Sequence, residues 1–146
     1  MLRFDHVGVV VEDLDATVAF FVDLGFELEG RGHVSGTAID KINGLDDVRT
    51  EFAMVRTPDR TGKLELLKYH VPADTDGPHA LAANRFGFRH ICLEVEDLDA
   101  QLDRLRGKGF DLVGEVADYV YRLCYVRGPE GLIIELAQAP AAAAAG

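Results

Sequence analysis

Residues 4–30 and 88–114 are two versions of one segment. At an offset of 84 positions, Phe4, His6, Val11, the run Glu12-Asp13-Leu14-Asp15-Ala16, Gly25, Phe26, Leu28 and Gly30 recur as Phe88, His90, Val95, Glu96 to Ala100, Gly109, Phe110, Leu112 and Gly114. An internal duplication limits the fold more than any local pattern does. It requires two copies of one supersecondary unit, with chemistry-bearing residues arriving in pairs. The 146 residues amount to one ordinary domain, divided into two half-size modules.

Within each copy the pattern is that of a strand, a helix and three further strands. Residues 4–11 are apolar and β-branched without helical periodicity, which predicts a buried strand with His6, Gly8 and Val10 on one face and Val7, Val9 and Val11 on the other. Asp13 is a good helix N-cap. Leu14, Val18, Phe21 and Val22 follow at helical spacing, and Gly25 ends the run. In the second copy Asp97 caps the stripe Leu98, Leu102 and Leu105, which Gly107 or Gly109 ends.

Strands are predicted at about 26–35, 49–57 and 63–69, with an irregular polar segment containing Asp40, Asn43, Gly44, Asp46 and Asp47 after the first of them. In the strand at 49–57, Phe52 and Met54 are expected to meet the helix, which turns Glu51 to the opposite face. The second module repeats the order with strands at about 87–95, 110–116, 119–127 and 131–137. The expected organisation is one domain over 1–137, built from a module at 3–69, a linker at 70–86 carrying Pro72, Gly77 and Pro78, and a module at 87–137. From Gln138 to Gly146 no core pattern remains, so a loose Ala-rich tail is expected. The expected fold class is α+β, with two tandem βαβββ modules forming a curved mixed sheet around a central cleft and the helices outside.

Charge narrows the partners. Fifteen basic against 25 acidic residues give a formal net charge of −10, with no basic run to neutralise phosphates, so nucleic acid and anionic membranes are poor partners. The sequence shows neither a signal-peptide pattern nor an apolar run of about 18 residues, and a cytoplasmic protein is expected. Cys92 and Cys124 form no CxxC and read as reduced thiols. Cys92 shares strand parity with His90, close to any metal bound there.

His6 and His90 each lie two residues after a phenylalanine at the start of a module. Glu65 in Lys-Leu-Glu-Leu-Leu and Glu135 in Ile-Ile-Glu-Leu-Ala each lie on the last strand of a module. A carboxylate among apolar neighbours costs several kcal/mol to bury unless it is paired or bound to a cation, on the order given by mutational data. Two imidazoles and two carboxylates at matching topological points suit zinc, iron, nickel, cobalt or manganese.

On these residues the chain resembles the vicinal oxygen chelate superfamily, which includes glyoxalase I, methylmalonyl-CoA epimerase, extradiol dioxygenases and bleomycin-resistance proteins. The resemblance covers residues 4–137. It implies that His6, Glu65, His90 and Glu135 ligate one divalent metal ion, and that the protein is a homodimer.

It also implies three chemistries. Four protein ligands leave two positions of a six-coordinate ion for a substrate with vicinal oxygens or an acyl thioester. The first expectation is therefore a lyase, isomerase or epimerase that moves a proton next to a carbonyl through a metal-stabilised enolate. Glu135 is the expected base, as its counterpart is in glyoxalase I and the epimerase. Glu51 is the second candidate, because its strand resembles the place of a catalytic glutamate in the epimerase. Glu65 resembles glyoxalase I, whereas the epimerases carry glutamine there.

The alternatives are an iron-dependent dioxygenase of the extradiol type, which uses only two histidines and one carboxylate, and a non-catalytic small-molecule-binding or antibiotic-resistance protein. Lys68, Arg85, Arg122 and Arg127 are candidate anchors for an anionic group. Tyr69, Phe86, Tyr119, Tyr121 and Tyr125 are candidate pocket residues. His33, His70 and His79 have no partner at ligand spacing and receive no role.

Overall fold

The structure, a computed structural model, describes residues 1–141. The chain divides into two compact units, Met1–Pro78 and the segment from His79 onward.

In the first unit the order is β1 (Val7–Val10), α1 (Leu14–Leu24), β2 (Glu27–Ser35), α2 (Thr37–Asn43), β3 (Arg49–Arg56) and β4 (Lys63–Val71). The sheet order is β1-β4-β3-β2, with β1 parallel to β4 and the other pairs antiparallel. Asp13 caps α1 as expected, its carboxylate accepting the Ala16 N–H at 3.0 Å, and Gly25 ends the helix in the left-handed conformation with φ 117°. Leu14, Val18 and Phe21 are buried against Ala53, Val55, Leu64 and Leu66 of the sheet's helix face. Each fully buried large side chain of this kind contributes roughly 1.5–3 kcal/mol.

The expected face assignment of β3 is reversed. Ala53 and Val55 lie under the helix fully buried, whereas Phe52 and Met54 are on the other face and only half-buried. The reason is steric. The inner side of α1 carries Phe20 and Phe21, whose bulk, with Leu64 and Leu66 already on that face, fits over Ala53 and Val55 better than over Phe52 and Met54. Phe52 instead packs over Gly32, its cross-strand neighbour on β2, where an added Cβ would come within 2.9 Å of the ring.

The polar segment after β2 is also more ordered than expected, since residues 37–43 form α2. Its Asp40 accepts backbone N–H groups from Asp47 at 3.1 Å and Val48 at 2.7 Å, and its Asn43 side chain accepts the Tyr69 hydroxyl. These polar side chains satisfy their own loop rather than water.

The second unit contains β5 (His90–Glu94), α3 (Leu98–Gly107), β6 (Asp111–Leu112), β7 (Ala117–Tyr119), β8 (Tyr121–Arg127) and β9 (Ile133–Gln138), with sheet order β5-β9-β8-β6 and β7 paired to β8. The expected strand at 110–116 is thus only the two-residue β6. Asp97 caps α3 through the Ala100 N–H at 3.1 Å, and Leu98, Leu102 and Leu105 are buried. Gln138, expected in the tail, is the last residue of β9, and its side-chain oxygen accepts the Leu98 N–H at 2.8 Å. Residues 142–146 of the expected tail lie outside the described residues. Among the described residues no helix is long and apolar enough to cross a membrane.

Candidate metal-binding pairs

Strand register carries the duplication into the structure. In the first unit Gly8 of β1 pairs with Glu65 of β4, and in the second Cys92 of β5 pairs with Glu135 of β9. Paired residues share a face of the sheet, as do residues two apart on one strand. His6, two residues before Gly8, and His90, two before Cys92, therefore reach the same face as their glutamates. This is the face opposite the helix.

The contacts agree with that placement. His6 Nε2 is 3.4 Å from Glu65 Oε2, and His90 Nε2 is 3.7 Å from Glu135 Oε2. An ion bound at about 2.0–2.2 Å holds neighbouring ligand atoms about 3.0–3.5 Å apart, so each pair is close to chelating separation. The imidazoles are 35% and 38% exposed and the carboxylates 26% and 17%, which leaves one side of each pair open to a ligand. Among the described residues, however, His, Cys, Asp and Glu gather into no metal-binding group of three or more.

The two pairs differ in support. Asp5 Oδ2 accepts a hydrogen bond from His6 Nδ1 at 2.7 Å, which orients the ring so that Nε2 is turned toward Glu65. That hydrogen bond, with Lys63 nearby, holds the Asp5 carboxyl below its usual range. The position equivalent to Asp5 in the second repeat is Arg89, and there the His90 ring packs on Tyr125 with centroids 4.9 Å apart. Sequence reasoning missed Asp5. The available signal was its adjacency to His6, but repeat symmetry pointed away from it.

Cys92 lies beside Glu135 as its parity implied. Partial desolvation, followed by a hydrogen bond to Glu135, pushes its thiol up to about 12.

Glu51 is placed elsewhere. Its cross-strand partner is Lys68, so it lies on the same face as Ala53 and Val55 and opposite Glu65. There it accepts hydrogen bonds from Arg31 Nη2 at 3.2 Å and contacts His70 Nε2 at 3.2 Å, with His33 Nε2 at 4.0 Å. The contacts with His70 and then Arg31 hold its carboxyl below the usual range. Arg31 also bonds Asp15 of α1 at 2.6 Å, tying the cluster to the helix. His33 and His70, given no role from sequence, thus do have a carboxylate partner.

Two of the candidate anchors are already engaged. Arg122 pairs with Asp99 at 2.8 Å, and Arg127 donates to the carbonyls of Leu81 at 2.8 Å and Gly131 at 2.9 Å.

Residues 3–136 match the Glyoxalase/Bleomycin resistance protein/Dioxygenase superfamily. The chain belongs to that superfamily. A glyoxalase family protein from Bacillus cereus is 40% identical, with a TM-score of 0.90 and 94% of each chain covered. YwbC of Bacillus subtilis, an uncharacterized protein, is 25% identical over 93% of this chain and 97% of its own length. The fold also matches the fosfomycin resistance protein FosX of Listeria monocytogenes, complexed with Mn(II) and sulfate, at 13% identity and TM-score 0.59, covering 100% of this chain and 99% of that one. Members of the superfamily commonly bind a divalent metal and small molecules, and it includes proteins that are not enzymes.

Proposed function

We propose that this glyoxalase-superfamily chain is a divalent-metal-dependent enzyme that moves a proton next to a carbonyl group, with His6, Glu65, His90 and Glu135 as its ligands. The observation carrying this reading is the repetition of one histidine–carboxylate pair in the same strand register in both units. A single such pair is an ordinary ion-pair contact. Two at repeat-equivalent positions, each close to chelating separation, favour a common ligand. A bound divalent ion would supply Lewis-acid polarisation of the substrate carbonyl.

The protein's own part follows from the asymmetry of the pairs. Asp5 fixes the orientation of His6, so the His6–Glu65 pair is the preorganised one. Glu135, at 3.7 Å from its histidine, is the looser carboxylate and takes the proton from the carbon beside the carbonyl, then returns it to that carbon or its neighbour. Glu51 lies on the opposite face of its sheet from Glu65, which favours Glu135 alone as the base.

The chain is also read as a homodimer. Phe4 and Phe88, equivalent across the repeat, are 78% and 95% exposed, a cost that a partner surface would remove. Sedimentation equilibrium at the mass of a monomer would refute this.

The metal reading is tested by elemental analysis of protein expressed in metal-replete medium and dialysed, beside a His6→Ala, Glu135→Ala double variant. Divalent metal retained by the parent and lost from the variant is expected. Metal-free parent protein would overturn it. Proton transfer is then read by NMR as deuterium uptake from D₂O into a panel of 2-hydroxy ketones, thiohemiacetals and acyl thioesters. Uptake should require Glu135.

A further inference from the structure

Two residues along β4 from Glu65 lies Lys63, and two along β3 from Met54 lies Arg56. Arg56 and Lys63 are directly paired across the strands, so both share the face that carries Glu65. Arg3, Asp5, Arg60 and Thr61 join them around a cavity of about 180 Å³. Its lining holds four cations and a single carboxylate, in a chain whose net charge is −10.

Internal ion pairs offset this positive charge only in part, because Arg3 and Lys63 share the one Asp5 carboxylate and Arg56 has Glu29. Asp5 is drawn to His6 at 2.7 Å and stays 3.8 Å from both Arg3 Nη2 and Lys63 Nζ. Arg56 Nε approaches Glu29 at 3.1 Å without hydrogen-bond geometry, and it remains buried with its N–H unsatisfied. A buried donor without an acceptor costs free energy, and four clustered cations repel one another. An oxyanion in the cavity relieves both. The cavity has room for several water volumes of roughly 30 Å³ each, enough for a carboxylate or a phosphate. The guanidinium and hydroxyl donors around it match the acceptor oxygens of either group.

We propose that this cavity is an oxyanion subsite, and that it holds a carboxylate or phosphate group of the substrate about 7 Å along the strands from the His6–Glu65 pair. As a statement about substrate class it rests on the metal reading above. As a statement about anion binding it stands alone. The substrate it selects is a small carbonyl compound that also carries a carboxylate or phosphate group.

The test is a titration of the full chain with inorganic phosphate, and separately with acetate, at low ionic strength. It is followed by the ¹H–¹⁵N amide shifts of Arg60, Thr61 and Lys63, on protein as purified and again after chelation with EDTA. Saturable shifts centred on these residues are expected in both preparations. Binding by phosphate alone assigns the subsite to phosphate groups, and binding by both anions assigns it to oxyanions in general.

Arg60→Gln, at an exposed turn position, should weaken binding about tenfold, the loss of one charge-assisted contact. Lys63→Gln should do the same. Lys41→Gln removes the same charge from α2, which contributes no residue to the cavity lining, and should leave binding unchanged. Absence of saturable shifts, or equal weakening by Lys41→Gln, would overturn the proposal. Metal content measured in the same variants separates this result from the metal reading, because none of the three positions is a proposed ligand.

Discussion

Replacing Asp5 by asparagine isolates what the carboxylate does for His6. The residue sits at the N-terminal edge of the sheet, about half exposed, so the fold itself does not depend on it. Its short contact with His6 Nδ1, 2.7 Å, is a charge-assisted hydrogen bond that fixes the ring orientation and aims Nε2 at Glu65. Loss of such a partner typically lowers metal affinity about 10- to 100-fold. Asparagine keeps an acceptor oxygen of the same reach and loses only the charge, so Asp5→Asn should fall at the low end, about tenfold. Asp5→Ala removes the acceptor and should approach the upper end, about a hundredfold.

The assay is a competition titration against a chromophoric chelator with Zn(II) or Mn(II), beside thermal melts of the metal-free proteins, which should coincide. The duplication supplies an internal control. Arg89 occupies the equivalent position before His90, and Arg89→Gln should not weaken metal binding. The same Asp5→Asn change removes the only carboxylate lining the cationic cavity and should tighten phosphate binding while it weakens metal binding. Unchanged metal affinity in both Asp5 variants would refute the argument that Asp5 orients His6.

Three further outcomes follow from the structure. Glu51→Gln should retain metal and any deuterium-exchange activity at parental levels, whereas Glu135→Gln should lose the activity by two orders of magnitude or more, on the scale of about 10²–10⁴ for a general base; equal losses would restore Glu51 to the site. Asp13→Ala and Asp97→Ala, which remove the repeat-equivalent N-caps, should each cost about 1 kcal/mol by chemical denaturation, and a cap that costs nothing would mean its helix start is held by other contacts. Gly131→Ala should destabilise by about 1–3 kcal/mol, because the residue has φ 77° and an added Cβ would clash with the His79 carbonyl; a neutral result would show that the segment at His79 moves aside freely.

Repetition made much of this protein legible before any coordinates. The Asp-capped helix starts and the Gly25 stop are local signals, each decided by residues within one turn of one another, and they appear in the structure as Asp13, Asp97 and Gly25 predict. The meeting of His6 with Glu65 and of His90 with Glu135 was legible for a related reason. Strand parity is fixed by the pleat, and both copies repeat it.

What the sequence could not decide was which face of β3 the helix covers. Both candidate sets, Ala53 with Val55 and Phe52 with Met54, are apolar, so hydrophobicity does not distinguish them. The choice was made by volume. Phe20 and Phe21 of α1 fit over Ala53 and Val55 better than over the larger Phe52 and Met54, and Gly32 on the neighbouring strand opens a place for the Phe52 ring on the far side. That packing decision carried Glu51 away from the Glu65 face to a cluster with Arg31, His33 and His70. The cationic cavity has the same origin. Arg3, Arg56, Arg60 and Lys63 are scattered in the sequence without a motif, and only strand pairing and the turn before β4 bring them together. The sequence by itself determined the repeated elements and the paired histidine and glutamate positions, because those depend on local periodicity and on the duplication. The tertiary structure alone decided which charged groups share a surface, because that depends on how side-chain volumes pack across strands.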